Sequence, residues 1–421
     1  MPSFEINNSV KSGHSFTRIG YMVIAATFIA QALAMGLSIY TYPVFMLIIE
    51  NEYSLSRAQT SMGVPLVLVM GAVAGPFVGY LIDKWSVKKL MFIGGVMMSL
   101  GFVILSQVTA LTTSVLTWVV LIGLGQVMLG PLPAMTVVAS WFVSRRGTMI
   151  ALSVMGVAAG GVCAPLLSNF LIDVFGWRAA LLVLGIICLL ISAPVILIGI
   201  IKKPELLGLY PDGADVPQPS AAEGGDSVKG LLRRFDFWRV ALSFAAIGSS
   251  GIVFISHLVS WATSIGIEHN SAVALFSLAA LASMAGKVFF GYLNDRFGSK
   301  NAIIAAAMFE VLGWVIMLSL DHTLAFKAGA LMFAFGVGSM MPCQSAFIGR
   351  IWGMERFGRV TAYVSIVILI CSLVGPSLVG VGFDATGGYQ TPMAMWLVII
   401  AIPLILIGSM NYGKSTYRLQ R

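Results

Sequence analysis

Apolar residues occur in this chain as long unbroken blocks, not in the strict alternation of a half-buried strand or the single stripe of a surface helix. Runs of at least about 18 apolar residues predict membrane-spanning helices. Twelve are expected, near residues 19–43, 58–81, 90–110, 113–141, 148–173, 178–201, 237–264, 271–293, 301–320, 324–350, 359–382 and 391–411. The longest polar stretch, Lys202 to Asp236, carries Pro204, Pro211, Pro217, Pro219 and the pair Gly224-Gly225, and it divides the runs six and six. The expected organisation is a tail over 1–18, a six-helix bundle over 19–201, a linker over 202–236, a second bundle over 237–411 and a tail over 412–421. The first run is longer than a signal peptide and lacks a small-residue cleavage site, so it reads as a retained span.

Composition agrees. Hydrophobic residues make up 58% and charged residues 10% of 421, against about 25% charged in soluble domains. So few charges cannot cover a water-soluble body of this size. The net charge of +8 raises nucleic acid or an anionic surface as partners, and placement decides between those and topology. Of 25 Lys and Arg, 21 fall on the side that holds both tails and the linker; Arg57, Arg178 and Lys327 fall on the other, and Lys287 lies inside a run. By the positive-inside rule the tails and linker are expected in the cytoplasm, with the chain in a plasma or inner membrane. The basic excess is then a topology signal, and no nucleic-acid partner is expected. Cys163, Cys188, Cys343 and Cys371 all sit in apolar runs without metal-ligand spacing. No phosphate loop, zinc pattern or nucleophile elbow is found, so no catalytic residue, cofactor or metal is assigned and no enzyme is expected.

The chain repeats itself. An offset of 211 pairs Gly125 with Gly336, Pro131 with Pro342, Trp141 with Trp352, Arg145 with Arg356, Gly147 with Gly358, Pro165 with Pro376, Asp173 with Asp384 and Gly176 with Gly387. An offset of 212 aligns Gly79-Tyr80-Leu81-x-Asp83-Lys84 with Gly291-Tyr292-Leu293-x-Asp295-Arg296. Six spans per copy is an even number, so the copies run parallel. The expected fold is an all-α membrane protein of twelve transmembrane helices in two parallel six-helix pseudo-repeats, with a midplane site between them.

The two Gly-x-x-x-Asp-(Lys/Arg) segments, Gly79, Asp83 and Lys84 in one and Gly291, Asp295 and Arg296 in the other, resemble motif A of the major facilitator superfamily. In physical terms the glycine is expected to permit close helix packing, and the aspartate to accept hydrogen bonds from a neighbouring helix end. Ser86 replaces the second glycine of that pattern in the first copy, whereas Gly298 is kept in the second. Leu55-Ser56-Arg57-Ala58, Trp141-Phe142 with Arg145-Arg146-Gly147, Gly176-Trp177-Arg178-Ala179-Ala180 and His257-Leu258-Val259 with Ala262-Thr263 and Gly266-Ile267 resemble the monocarboxylate-porter and oxalate/formate-antiporter branch. The resemblance implies a secondary carrier of a small organic anion working by alternating access, functional as a monomer in the bilayer. A proton-coupled monocarboxylate symporter is its first reading. An oxalate/formate-type antiporter and a transporter-like membrane receptor are the alternatives.

Two charged side chains lie well inside apolar runs, Lys287 in the eighth and Glu310 in the ninth. A charge at bilayer depth costs about 2.5–3.5 kcal/mol on insertion scales and marks a functional candidate. Lys287 is eight residues from Asp295, about 12 Å along a helix. It reads either as a snorkelling or structurally paired lysine or as the counter-charge of a bound anion. Burial penalises a lone ammonium and a bound carboxylate relieves that penalty, so proton and anion would strengthen each other's binding. The related porters usually hold Arg there, and some carry an Asp one turn earlier; here that earlier position is Ser283. His257 reads as a hydrogen-bonded interface residue or as a proton relay and substrate ligand. Glu310 reads as a buried pair, a lipid-facing acid or a proton-coupling group. Tyr40, Gln126, Gln344 and Tyr363 line a cavity or join helices by hydrogen bonds. Gly248-Ser249-Ser250-Gly251 suits a mid-membrane helix break, and bends are expected near Pro131 and Pro342.

Overall fold

The computed structural model describes residues 3–142, 146–210, 233–319, 323–352 and 354–410, with side chains from Thr17 onward except those of 83, 146–148, 345 and 354–359. The C-terminal tail 412–421, linker residues 211–232, Arg145 and the side chain of Asp83 lie outside the described residues. Among the described residues, twelve helices are long and apolar enough to cross a membrane. They are α1 (Thr17–Tyr53), α2 (Arg57–Ile82), α3 (Val87–Gln107), α4 (Leu111–Trp141), α5 (Met149–Phe175) and α6 (Trp177–Gly199). After the linker come α7 (Phe235–Ser264), α8 (His269–Phe297), α9 (Ser299–Ser319), α10 (Thr323–Trp352), α11 (Val360–Thr386) and α12 (Gln390–Gly408).

Several connections are short. Between α1 and α2, Ser56 starts the new helix with a capping box: its Oγ accepts from the Gln59 N–H at 3.3 Å and its own N–H donates to Gln59 Oε1 at 2.9 Å. Gly176 alone joins α5 to α6 at φ 78°, a left-handed conformation that favours glycine. The two motif copies end differently for the same reason. Gly298, at φ 84°, turns α8 directly into α9, while Ser86 is extended and α2 stops through the extended Trp85.

Contacts group the chain into two compact units, Met1–Ala221 with Ile255–Leu281, and Ala222–Phe254 with Ala282–Arg421. In the first, α1 and α5 pack backbone against backbone: a Cβ at Gly156 would overlap the Phe28 carbonyl oxygen, and one at Gly160 the Ala32 carbonyl oxygen. A buried polar thread stitches the same pair, Gln31 Nε2 donating to Ser153 Oγ at 2.6 Å and Ser153 Oγ to Thr27 Oγ1 at 2.8 Å. In the second unit, Phe237, Phe244, Phe290, Ile303, Phe347 and Trp352 belong to one core of buried side chains.

Paired positions do the same work in each copy of the repeat. Lys88 Nζ donates to the Leu197 carbonyl at 2.9 Å, and its 212-offset counterpart Lys300 to the Gly408 and Met410 carbonyls at 3.0 and 2.6 Å. Each lysine satisfies carbonyls at the end of its own sixth helix, where a cation also suits the helix dipole. Gly125 packs on Gly94 and Met98, and Gly336 on Ala306 and Glu310.

The change of offset from 212 to 211 requires one extra residue in the first copy, between positions 101 and 125. It lies in a π-helical turn, Thr117–Gly123, that interrupts α4, while α10 is regular α-helix over Thr323–Val337. The expected bends are present: α4 breaks at Gly130, ahead of Pro131, and α10 turns at Gly338 and Ser339, ahead of Pro342. The break expected at Gly248–Gly251 is absent, and α-helix runs through it from Phe235 to Ser264. Those small residues serve packing instead. A Cβ at Gly248 would meet Ile368 at 2.8 Å, and Ser250 Oγ accepts from the Trp396 indole at 3.1 Å. Close packing is likewise not what Gly79 and Gly291 provide, since a Cβ at either would meet nothing within 4 Å among the described residues.

Candidate substrate site

The candidate residues fall into two sets. Tyr40, Gln126 and His257 belong to the first unit; Lys287, Glu310, Gln344 and Tyr363 belong to the second. Tyr40 closes a π turn in α1, Gly36–Tyr40. Its ring lies 6.0 Å from that of Phe276, and a Cβ at Gly161 would come to 2.9 Å from it. Gln126 is buried beside α1 and donates from Nε2 to Met35 Sδ at 2.9 Å, a weak acceptor that a better one can displace. His257 is fully buried.

In the second unit the centre of gravity is the stretch Phe335–Ser339 of α10. A Cβ at Gly286 would overlap the Phe335 carbonyl oxygen. One at Gly338 would overlap the Ser283 carbonyl oxygen and lie 2.9 Å from the Lys287 backbone nitrogen. Two glycines therefore bring α8 against α10 at the level of Lys287, whose side chain is half-buried. Glu310 approaches the same stretch from α9, where a Cβ at Gly336 would meet its Cγ at 2.8 Å. Glu310 is fully buried, and neither carboxyl oxygen has a hydrogen-bond partner among the described residues. Ser339 Oγ and Gln344 Nε2 are also buried without a partner. Tyr363 packs against the aromatic core of this unit.

In the motif copies, Arg296 donates to the Tyr292 hydroxyl at 2.5 Å, and Asp295 accepts from the neighbouring Asn294 side chain at 3.2 Å. Among the described residues, this partner of Asp295 lies on its own helix. Sequence reasoning missed Ser339. The available signal was the Gly336-x-Gly338-Ser339 run ahead of Pro342, small residues at alternate positions where a helix is about to restart.

The model of the Major Facilitator Superfamily matches residues 27–286 and 240–412. The chain belongs to this superfamily. It is therefore a multi-pass membrane transporter, not an enzyme. Its curated relatives place it near the monocarboxylate branch. Monocarboxylate transporter 11 of Mus musculus is 27% identical over 409 residues, covering 93% of this chain and 86% of the relative. Monocarboxylate transporter 13 of Bos taurus is 24% identical, covering 93% and 88%. Among solved structures, a bacterial homolog of the human lysosomal transporter Spinster, inward-facing and unoccupied, superposes with a TM-score of 0.72 at 15% identity, over 93% of this chain and 96% of that one. That likeness establishes the superfamily fold.

Proposed function

We propose that this transporter is a proton-coupled symporter of a small monocarboxylate working by alternating access. The observation that carries the reading is Lys287, a cationic side chain inside α8, half-buried and held against α10 by two backbone contacts. An ammonium in an apolar span needs a counter-charge. Among the described residues no carboxylate forms a salt bridge with it, and a carried anion supplies one. One point charge suits one carboxylate. The names of the curated relatives support the same substrate class.

Coupling follows from reciprocity. A bound carboxylate favours the protonated lysine and the protonated lysine favours the carboxylate, so anion and proton load and leave together. Glu310 offers a second proton position on the opposite flank of α10, and His257, Tyr40, Gln126, Gln344 and Tyr363 are the remaining candidates for contact with substrate. We read the chain as a monomer in a plasma or inner membrane with both tails and the linker cytoplasmic, on the strength of the charge distribution.

The test is counterflow in proteoliposomes with a panel of acetate, pyruvate, lactate, oxalate and malonate, with and without an inward proton gradient. Monocarboxylates driven by the gradient and lost in Lys287→Ala support the reading. Exchange of dicarboxylates indifferent to pH would replace it with an antiporter. Binding without net movement would make the chain a receptor, and retained uptake with unchanged pH dependence in Lys287→Ala removes the lysine from the mechanism.

A further inference from the structure

The break in α10 leaves a helix beginning in mid-membrane. Helix Met340–Trp352 starts immediately after Ser339, and the first turn of any helix holds backbone N–H donors without intrahelical acceptors. Such an end attracts anions. Ser339 stands at that end, 1% exposed, and its hydroxyl has no partner among the described residues. Its backbone is fully engaged, the N–H donating to the Gly336 carbonyl at 2.9 Å and the carbonyl accepting from the Cys343 N–H at 3.0 Å. Only the hydroxyl is left over. The residue before it, Gly338, is the one in contact with the backbone of Lys287. The Lys287 backbone, Ser339 and the helix end thus lie together where α8 meets α10.

The other half of the molecule serves as an internal control. At the 212 offset Lys287 corresponds to Gly75, and Ser283 to Gly71; at 211, Gly338 corresponds to Val127. The same helix pair does meet there, a Cβ at Gly71 lying 3.8 Å from Val127 Cγ2, but as an ordinary contact without the backbone overlap seen in α8 and α10. Ser339 itself corresponds to Met128, and helix α4 restarts two residues further on, behind Gly130, which has no side chain to cap it. The first half keeps the broken helix and lacks both the cation and the hydroxyl. The tight approach and the polar groups occur together, on one side only.

We infer that Ser339 and the amino end of helix Met340–Trp352 form the second half of the anion site, orienting a carboxylate whose charge is met by Lys287. The lysine supplies a mobile point charge, and the hydroxyl and helix end supply direction. Pro342 adds no donor, so the contact falls to the hydroxyl and the amides just after it. The inference rests on the monocarboxylate reading above.

Radiolabelled pyruvate uptake in proteoliposomes tests it with three substitutions. Ser339→Ala is expected to raise the half-saturating concentration about tenfold, the scale of one hydrogen bond to a charged group, with the maximal rate largely kept. Ser339→Thr retains the hydroxyl and is expected to stay within about twofold of the parent. Ser339→Asp puts a fixed carboxylate on the helix end and is expected to abolish uptake in protein that still shows a cooperative melting transition in detergent. Parent-like half-saturation in both Ala and Asp variants overturns the inference. A fall in maximal rate and melting temperature without a change in half-saturation also overturns it, because Ser339 is then structural. If Lys287→Ala stops pyruvate while the Ser339 variants behave like the parent, the monocarboxylate reading stands and only this inference falls. If the parent moves no monocarboxylate, both fall.

Discussion

Gly338→Ala adds one methyl group at a crowded helix contact beside Lys287. The added carbon would overlap the Ser283 carbonyl oxygen and sit 2.9 Å from the Lys287 nitrogen, where uncrowded heavy atoms keep about 3.5 Å or more. Both neighbours are backbone, so no rotamer change relieves them. Helix α8 must shift by on the order of 1 Å, a strain of about 1–3 kcal/mol. On the scale of folded units of 150–250 residues, 2 kcal/mol corresponds to a drop of about 4–8 °C in melting temperature. Thermal unfolding of the purified protein in detergent reads this directly. Gly75→Ala is the matched control: it occupies the counterpart of Lys287 in the first half, and its new methyl meets nothing within 4 Å. It is expected to melt like the parent. Uptake adds a second reading, since a 1 Å displacement of Lys287 is expected to slow transport tenfold or more by analogy with displaced reacting groups. A Gly338→Ala protein that melts and transports like the parent would show that α8 and α10 do not meet in this way.

Glu310→Gln keeps the shape of a fully buried side chain and removes its ionisation; it is expected to preserve melting temperature and, if Glu310 carries a coupled proton, to flatten the response of uptake to a pH gradient. Arg57 and Glu50 form an ion pair at 3.0 Å in which the arginine side chain is only 9% exposed. Glu50→Gln, which removes the carboxylate from a nearly buried guanidinium, is expected to lower stability by about 3 kcal/mol in chemical unfolding, and the double swap Glu50→Arg with Arg57→Glu to recover part of it. Lys300→Ala and Lys88→Ala release carbonyls at the ends of α12 and α6. Each is expected to cost less than about 1 kcal/mol, and Lys300 more than Lys88 because it holds two carbonyls, one of them at 2.6 Å.

Hydrophobic blocks made the spans legible, because length and apolarity are properties of contiguous sequence. The repeat was legible for the same reason, since Trp, Pro and Asp recur at one spacing. Lys287 and Glu310 stood out because charge is rare in such runs. The roles of small residues were less accessible. Gly248-Ser249-Ser250-Gly251 and Gly336-x-Gly338-Ser339 have much the same composition, yet the first stays helical and the second precedes a break. The difference lies in tertiary surroundings: Ser250 accepts from Trp396, 146 positions away, whereas the Ser339 hydroxyl has no partner among the described residues. Gly79 and Gly291 are conspicuous by spacing, yet a Cβ at either would meet nothing within 4 Å among the described residues.

The π turn at Thr117–Gly123 bears on how the two copies diverged. One added residue in an α-helix rotates everything beyond it by about 100° and ruins the face it presents. Widening a single turn absorbs that rotation, so Gly125 still meets Gly94 as Gly336 meets Ala306. An insertion or deletion in the middle of a span was thus survivable without a compensating change elsewhere. The duplicated ancestor could gain or lose residues inside its spans, and removing one residue from Thr117–Gly123 should return α4 to the register of its sister helix.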